Sequence, residues 1–162
     1  MVDSSTYQES VVLERVFDAP IDLVWKMWTD PVSFKAWYGP AGATVPVAEL
    51  DAWPGGHCRV CMAVGPREMW FTGQHLEVTE PTRLVYTETM ADEHGNPISP
   101  QSLGMPAKTP GTTEVTVVLD EVEGGTRVTL THAGVPVESG AARGWNAAFD
   151  KLATELRVAA DA

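Results

Sequence analysis

The chain has 162 residues, 44% of them hydrophobic and 20% charged, which are the proportions of a globular protein and exclude a disordered one. Its formal net charge of −11 opposes binding to nucleic acid or to an anionic membrane surface. One domain is expected from this length, with room for a core that buries roughly 70% of the surface exposed on unfolding.

Met1 to Ser10 is polar and lacks a basic stretch followed by an apolar run, so no signal peptide is expected. No apolar run approaches the length of a membrane span, and the expected location is cytoplasmic. Residues 1–9 read as an N-terminal tail and residues 10–160 as the domain. Ser10 to Phe17 reads as a strand. Pro20 suits a first helical position, where its missing N–H costs nothing. Ile21, Val24, Trp25 and Trp28 then follow at the spacing of one helix face. Thr29-Asp30-Pro31 ends that helix and starts a second short piece carrying Phe34, Trp37 and Tyr38, which Gly39-Pro40 terminates.

Strand signals run from Thr44 to Ala133. The expected strands are Thr44 to Asp51, His57 to Val64, Glu68 to Glu80 with a bulge at Gly73, and Arg83 to Ala91. Thr112 to Val122 alternates, with Val115, Val117 and Leu119 on one face. Gly124-Gly125 forms a hairpin turn into Thr126 to His132, where Val128, Leu130 and His132 share a side. Asp92 to Gly111 interrupts the series; it is rich in Pro and Gly and shows no periodicity, which suits a mobile cover over one end of the sheet. A final helix is expected from Glu138 to Ala160, its stripe formed by Trp145, Ala148, Phe149, Leu152 and Leu156. A run of strands with segregated helices indicates an α+β fold, an antiparallel sheet curved round the long C-terminal helix.

Several motifs in this order resemble one family. Phe17-Asp18-Ala19-Pro20 with Val24-Trp25 and Trp28-Thr29-Asp30-Pro31 resembles the first helix of the START-like (SRPBCC, Bet v 1-like) helix-grip superfamily. Trp37-Tyr38-Gly39-Pro40, Pro54-Gly55-Gly56, Pro81-Thr82-Arg83-Leu84-Val85-Tyr86, Thr129-Leu130-Thr131-His132-Ala133-Gly134 and Gly144-Trp145 with Leu152 resemble one branch of it. That branch comprises homologues of the activator of the ninety-kilodalton heat-shock chaperone ATPase, and the resemblance covers about Ser10 to Val158. It implies a helix-grip fold with a cavity between sheet and C-terminal helix. It implies no single chemistry, because superfamily members bind lipids or hormones or cyclise polyketides, and fold alone does not assign function. Chaperone activation belongs to a longer protein with an additional N-terminal domain; no room for that domain is expected here, so the activity is not carried over.

The residues that could carry chemistry are few. His57-Cys58-Arg59-Val60-Cys61 has a Cys-x-x-Cys spacing, yet residues three apart on a strand point to opposite faces, so neither a metal site nor a disulfide is expected. The glycine-rich phosphate loops and the Gly-x-Ser-x-Gly elbow are absent, and no cofactor is expected. Leu84, Tyr86, Glu88 and Met90 alternate on one face of their strand. If Leu84 faces the core, Glu88 is a carboxyl in an apolar cavity with a raised pKa, able to act as acid or base. A one-residue slip in register would instead place it in solvent. His132, inward by alternation, could orient a ligand or move a proton, or could be an ordinary buried histidine satisfied by a backbone or water partner. Arg59 and Arg143 could meet an acidic ligand, or simply be solvated.

The leading functional reading is binding of a small apolar or amphipathic molecule. The lining is expected from Trp145, Ala148, Phe149 and Leu152 on the helix and Tyr86, Glu88, Met90, Val117 and His132 on the sheet. A second reading is an acid/base enzyme of cyclase, hydratase or isomerase type using Glu88 and His132. A third is an interaction module that contacts a chaperone or forms a homodimer through a sheet edge. Two or more convergent polar groups in the cavity would favour the enzyme; an all-apolar lining would favour binding.

Overall fold

The computed structural model describes residues 9–107, 109–135 and 140–161. The tail expected over residues 1–9 therefore lies almost wholly outside the described residues, as do Glu138 and Ser139 at the expected start of the last helix.

Seven strands form one curved antiparallel sheet: β1 (Ser10–Phe17), β2 (Thr44–Leu50), β3 (His57–Val64), β4 (Arg67–Thr79), β5 (Arg83–Ala91), β6 (Thr112–Val122) and β7 (Gly125–Ala133). Their spatial order is β1-β7-β6-β5-β4-β3-β2, so each hairpin-linked strand lies beside its predecessor while β1 closes onto β7. Helices α1 (Ile21–Thr29) and α2 (Pro31–Lys35) connect the two edge strands β1 and β2, and α3 (Ala141–Asp161) completes the fold. Among the described residues no helix is long and apolar enough to cross a membrane.

Period-two patterning builds the inner face of the sheet. Val115, Val117 and Leu119 of β6 and Val128 and Leu130 of β7 are all buried in one cluster with Leu84 and Tyr86 of β5. Trp145, Ala148, Phe149, Leu152 and Leu156 of α3 join that cluster, as their helical stripe requires. α1 contributes Val24, Trp25 and Trp28, and α2 contributes Phe34. Trp37 Nε1 donates to the Met27 carbonyl at 2.9 Å, and Asp30 caps α2 by accepting from the Ser33 amide at 3.0 Å. The turn that carries Trp37, Tyr38 and Gly39 is thereby fixed against the core.

Beyond one-residue shifts at the ends of β2, β4, β7 and α3, two helix bounds, the β4 bulge and the 92–111 segment differ from the sequence reading. α2 ends at Lys35, with Ala36 as its C-cap, so Trp37 and Tyr38 lie in the following turn rather than in the helix. α3 starts at Ala141, because Gly140 sits at φ 85°, a left-handed conformation that cannot continue a helix. The bulge in β4 is not at Gly73: pairing with β5 stays in register through His75 and shifts between His75 and Glu77. Gly73 serves a close approach instead, since a Cβ there would lie 1.9 Å from the Thr87 carbonyl oxygen. The described residues of the 92–111 segment also hold local structure that the lack of periodicity does not indicate. Ala91 and Pro97 form an isolated bridge, Pro100–Leu103 makes a 3-10 turn, and Gln101 Nε2 donates to the carbonyls of Pro106 at 3.0 Å and Thr109 at 2.9 Å.

Candidate functional site

Alternation along β5 turns Tyr86, Glu88 and Met90 inward, and the same period brings Thr113 from β6 and His132 from β7 toward them. These residues reach one end of the sheet, where α3 does not fill the concave face. A cavity of about 710 Å³ lies there. Its walls come from the Tyr38-Gly39-Pro40 turn, from Met62, Met69 and Phe71 on β3 and β4, and from Gly144, Trp145 and Ala148 on α3. Met105, Pro106, Thr109, Pro110 and Gly111 close one side, so the segment read as a cover does form part of the wall. A volume of this size is ordinary for a small-molecule site.

The sequence candidates divide. Glu88, Met90, His132, Trp145 and Ala148 line the cavity. Tyr86 lines a much smaller adjoining space of about 20 Å³, and its hydroxyl bonds to that of Tyr38, a cavity residue, at 2.7 Å. Phe149, Leu152 and Val117 do not line it; all three are fully buried in the packed core, where aromatic and aliphatic contacts occupy their surfaces. Arg59 is not a cavity cation: it pairs with Glu49 at 3.5 Å and stacks over Trp70 at 4.5 Å. Arg143 is exposed.

The cavity's polar groups form one connected set. Tyr38 donates its hydroxyl proton to Oε2 of Glu88 at 2.8 Å, so the Tyr86 hydroxyl is the donor to Tyr38. Trp145 Nε1 lies 3.0 Å from His132 Nδ1, and an indole nitrogen can only donate. His132 Nδ1 is therefore an acceptor, its proton resides on Nε2, and Nε2 donates to Thr113 Oγ1 at 2.8 Å. Both imidazole nitrogens are committed. Oε1 of Glu88 stands 3.9 Å from His132 Nε2, beyond hydrogen-bonding distance.

Burial decides the charges. Glu88 and His132 are each only 12% exposed. Desolvation raises the Glu88 carboxyl to about 7, against the smaller opposing effect of the Tyr38 hydrogen bond. Desolvation lowers His132 to about 4, so the imidazole is neutral at physiological pH and its approach to Glu88 is not an ion pair. Burial likewise raises Tyr38 and Tyr86 well above the usual phenol range. The site thus holds one carboxyl poised between its two states and a ring of neutral hydrogen-bonding partners.

Cys58 and Cys61 fall on opposite sides of β3: Cys58 belongs to the inner cluster, and Cys61 is buried outside it. Cys58 Sγ lies 3.3 Å from His75 Nδ1. Burial raises the thiol to about 12 and lowers His75, so the pair is neutral and the sulfur is not an activated nucleophile. Among the described residues no group of three or more His, Cys, Asp or Glu is placed to hold a metal ion.

Two polar members went unassigned in the sequence. Thr113 was legible in principle, since it continues the alternation of Val115, Val117 and Leu119. Tyr38 was not, because it projects from a turn whose direction no periodicity sets.

Comparison with known proteins is consistent with this architecture. The sequence profile described as Activator of Hsp90 ATPase homolog 1-like protein matches residues 18–157. Among curated proteins none matches the sequence significantly. A crystal structure of a protein from Nitrosomonas europaea superposes with TM-score 0.77 at 23% identity, covering 94% of this chain and 97% of that one. A protein from Chromobacterium violaceum gives TM-score 0.76 at 24% identity, covering 91% and 96%. A Silicibacter pomeroyi protein gives TM-score 0.73 at 22% identity, covering 93% and 99%. Likeness at these identities carries the fold and no further property.

Proposed function

The chain belongs to the family of Activator of Hsp90 ATPase homolog 1-like proteins, and from that premise we propose that it binds one small amphipathic molecule in the cavity between the sheet and α3. The fold of this family commonly carries a ligand-binding cavity. The observation that carries the reading here is the 710 Å³ space itself, walled by methionines, aromatics and prolines with its polar groups gathered around Glu88. Trp145, Ala148, Met90, Glu88 and His132 are the proposed contacts, with Tyr86 acting through Tyr38.

Apolar area removed from water supplies most of the affinity. At about 25 cal/mol per Å², burying about 300 Å² of ligand contributes about 7.5 kcal/mol, from which the cost of immobilising the ligand is subtracted. Titration with the neutral apolar probe N-phenyl-1-naphthylamine tests this. One saturable site per chain, with altered Trp145 emission and a negative heat-capacity change, is the expected result. Absence of saturable binding would count against the reading.

A second reading, an acid/base enzyme of cyclase, hydratase or isomerase type, is favoured by the convergence of Tyr38, Glu88, Thr113 and His132 at the cavity wall, where burial raises the Glu88 carboxyl to about 7. In that reading Glu88 alone transfers the proton. Several polar groups do converge, as an enzyme would require, but His132 spends both ring nitrogens on Trp145 and Thr113 and is a positioning group.

A further inference from the structure

We propose that the occupant of this cavity is a small amphiphile bearing a protonated primary amine, whose ammonium group is received by Oε1 of Glu88. The inference rests on the binding reading above and adds the chemistry of the ligand's head group.

The acceptor is the starting point. Glu88 has two carboxyl oxygens, and Tyr38 serves only Oε2, at 2.8 Å. The nearest donor to Oε1, His132 Nε2, stands off at 3.9 Å with its proton directed to Thr113. Oε1 is thus an acceptor without a hydrogen-bond donor among the described residues, on a side chain that lines the cavity. A buried carboxylate lacking a counter-charge is costly, and a donor brought by the ligand offsets that cost.

The surroundings select the sign of that donor. Among the described residues no Lys or Arg lines the cavity, so none of them neutralises a ligand carboxylate, which ionised Glu88 would repel. Met62, Met69, Met90 and Met105 offer an adaptable apolar surface to the rest of the molecule. The net charge of −11 raises the local concentration of cations and lowers that of anions.

The pH dependence follows from which groups titrate. The ionisable neighbours facing Glu88 are Tyr38, Tyr86 on β5, Cys58 on β3, His75 on β4 and His132 on β7. Burial holds the phenols and the thiol protonated, keeps His132 neutral and pushes His75 down from its ordinary value, so Glu88 is the cavity-lining group that changes charge from pH 6 to 8. An alkylamine, like lysine at about 10.4, stays protonated throughout that window.

Octylamine, octan-1-ol and octanoate share one chain length and separate the head groups. Displacement of N-phenyl-1-naphthylamine from the intact protein at pH 8 is expected to rank octylamine at least about tenfold above octanol, with octanoate weakest. The amine's advantage should shrink about tenfold at pH 6, where Glu88 is mostly protonated. In Glu88→Gln the amine-to-alcohol ratio should approach one at both pH values, while a melting curve confirms that the variant is folded. Equal affinity for amine and alcohol in the unaltered protein, or an amine preference that survives Glu88→Gln, overturns the head-group assignment and leaves the cavity reading standing. Failure of all three ligands and of the probe to bind overturns both.

Discussion

Phe149→Ala is expected to destabilise the protein by about 3–5 kcal/mol, the range for removing a fully buried aromatic ring from a packed core. Phe149 has no exposed surface. Its ring meets Phe17 edge-on at 5.5 Å and Trp145 at 6.2 Å, and the Arg15 guanidinium lies 5.5 Å from its centroid. The ring therefore joins α3 to β1, a junction also held by the 2.8 Å ion pair of Arg15 with Asp150. That pair is partly exposed and adds little, so the packing dominates. A chain of this length should lose about 6–20 °C in melting temperature. Urea unfolding with an unchanged slope and a lowered midpoint would give the same answer. A loss below about 1 kcal/mol would mean that the cavity extends past Phe149 and that α3 is not packed as described.

Glu88→Gln is expected to do the opposite, and only at neutral to alkaline pH. The carboxyl is raised from 4.5 to about 7 in the folded protein, because burial penalises its ionised form. The folded state therefore binds a proton more tightly than the unfolded state. The associated stability is fully present below about pH 4.5 and is lost as pH rises through about 7. Above pH 7 the ionised group burdens the folded state by on the order of 3 kcal/mol, from a shift of about 2.5 pH units at 1.36 kcal/mol each. Glutamine is uncharged and still accepts from Tyr38, so the variant should melt about 6–12 °C higher at pH 8 and nearly level with the parent at pH 4.5. His132 has the reverse sign. Its pKa is lowered to about 4, so its contribution is complete above about 6.5 and is lost as pH falls through about 4, in parent and variant alike. Equal melting temperatures at pH 8 would show that Glu88 is solvated or paired in solution.

These two residues also mark how far the sequence could be read. Phe149 and Glu88 were both placed inward by periodicity alone, and β1, β3, β5 and β6 have the bounds that alternation and turn residues indicate. Periodicity gives direction but not depth. It puts Val117, Phe149 and Leu152 on the inward faces with Glu88 and Ala148, yet cannot tell which meet solid packing and which meet the cavity. That division depends on where the 38–40 turn and the 92–111 segment come to rest, and neither has a repeat to read. The bulge between His75 and Glu77 was displaced from Gly73 for a related reason: a glycine in a strand signals either a bulge or a close backbone approach, and the Thr87 carbonyl made it the second. The locked state of His132 required a partner, Trp145, from an element 13 residues away in sequence, joined through residues that carry no strand or helix pattern.

The central claim is that a ligand occupies the space beside Ala148. Ala148 is 1% exposed, faces the cavity one turn beyond Gly144, and adjoins Trp145. Ala148→Trp fills the ligand's volume from the α3 wall without removing any hydrogen-bonding group. The decisive measurement is probe affinity of this variant alongside its melting temperature. A folded Ala148→Trp protein that melts within a few degrees of the parent and binds N-phenyl-1-naphthylamine more than tenfold more weakly is the predicted result. Normal probe binding by the folded variant would contradict the placement of the site, and a stability loss of about 1–3 kcal/mol or more would show that the region is packed solid.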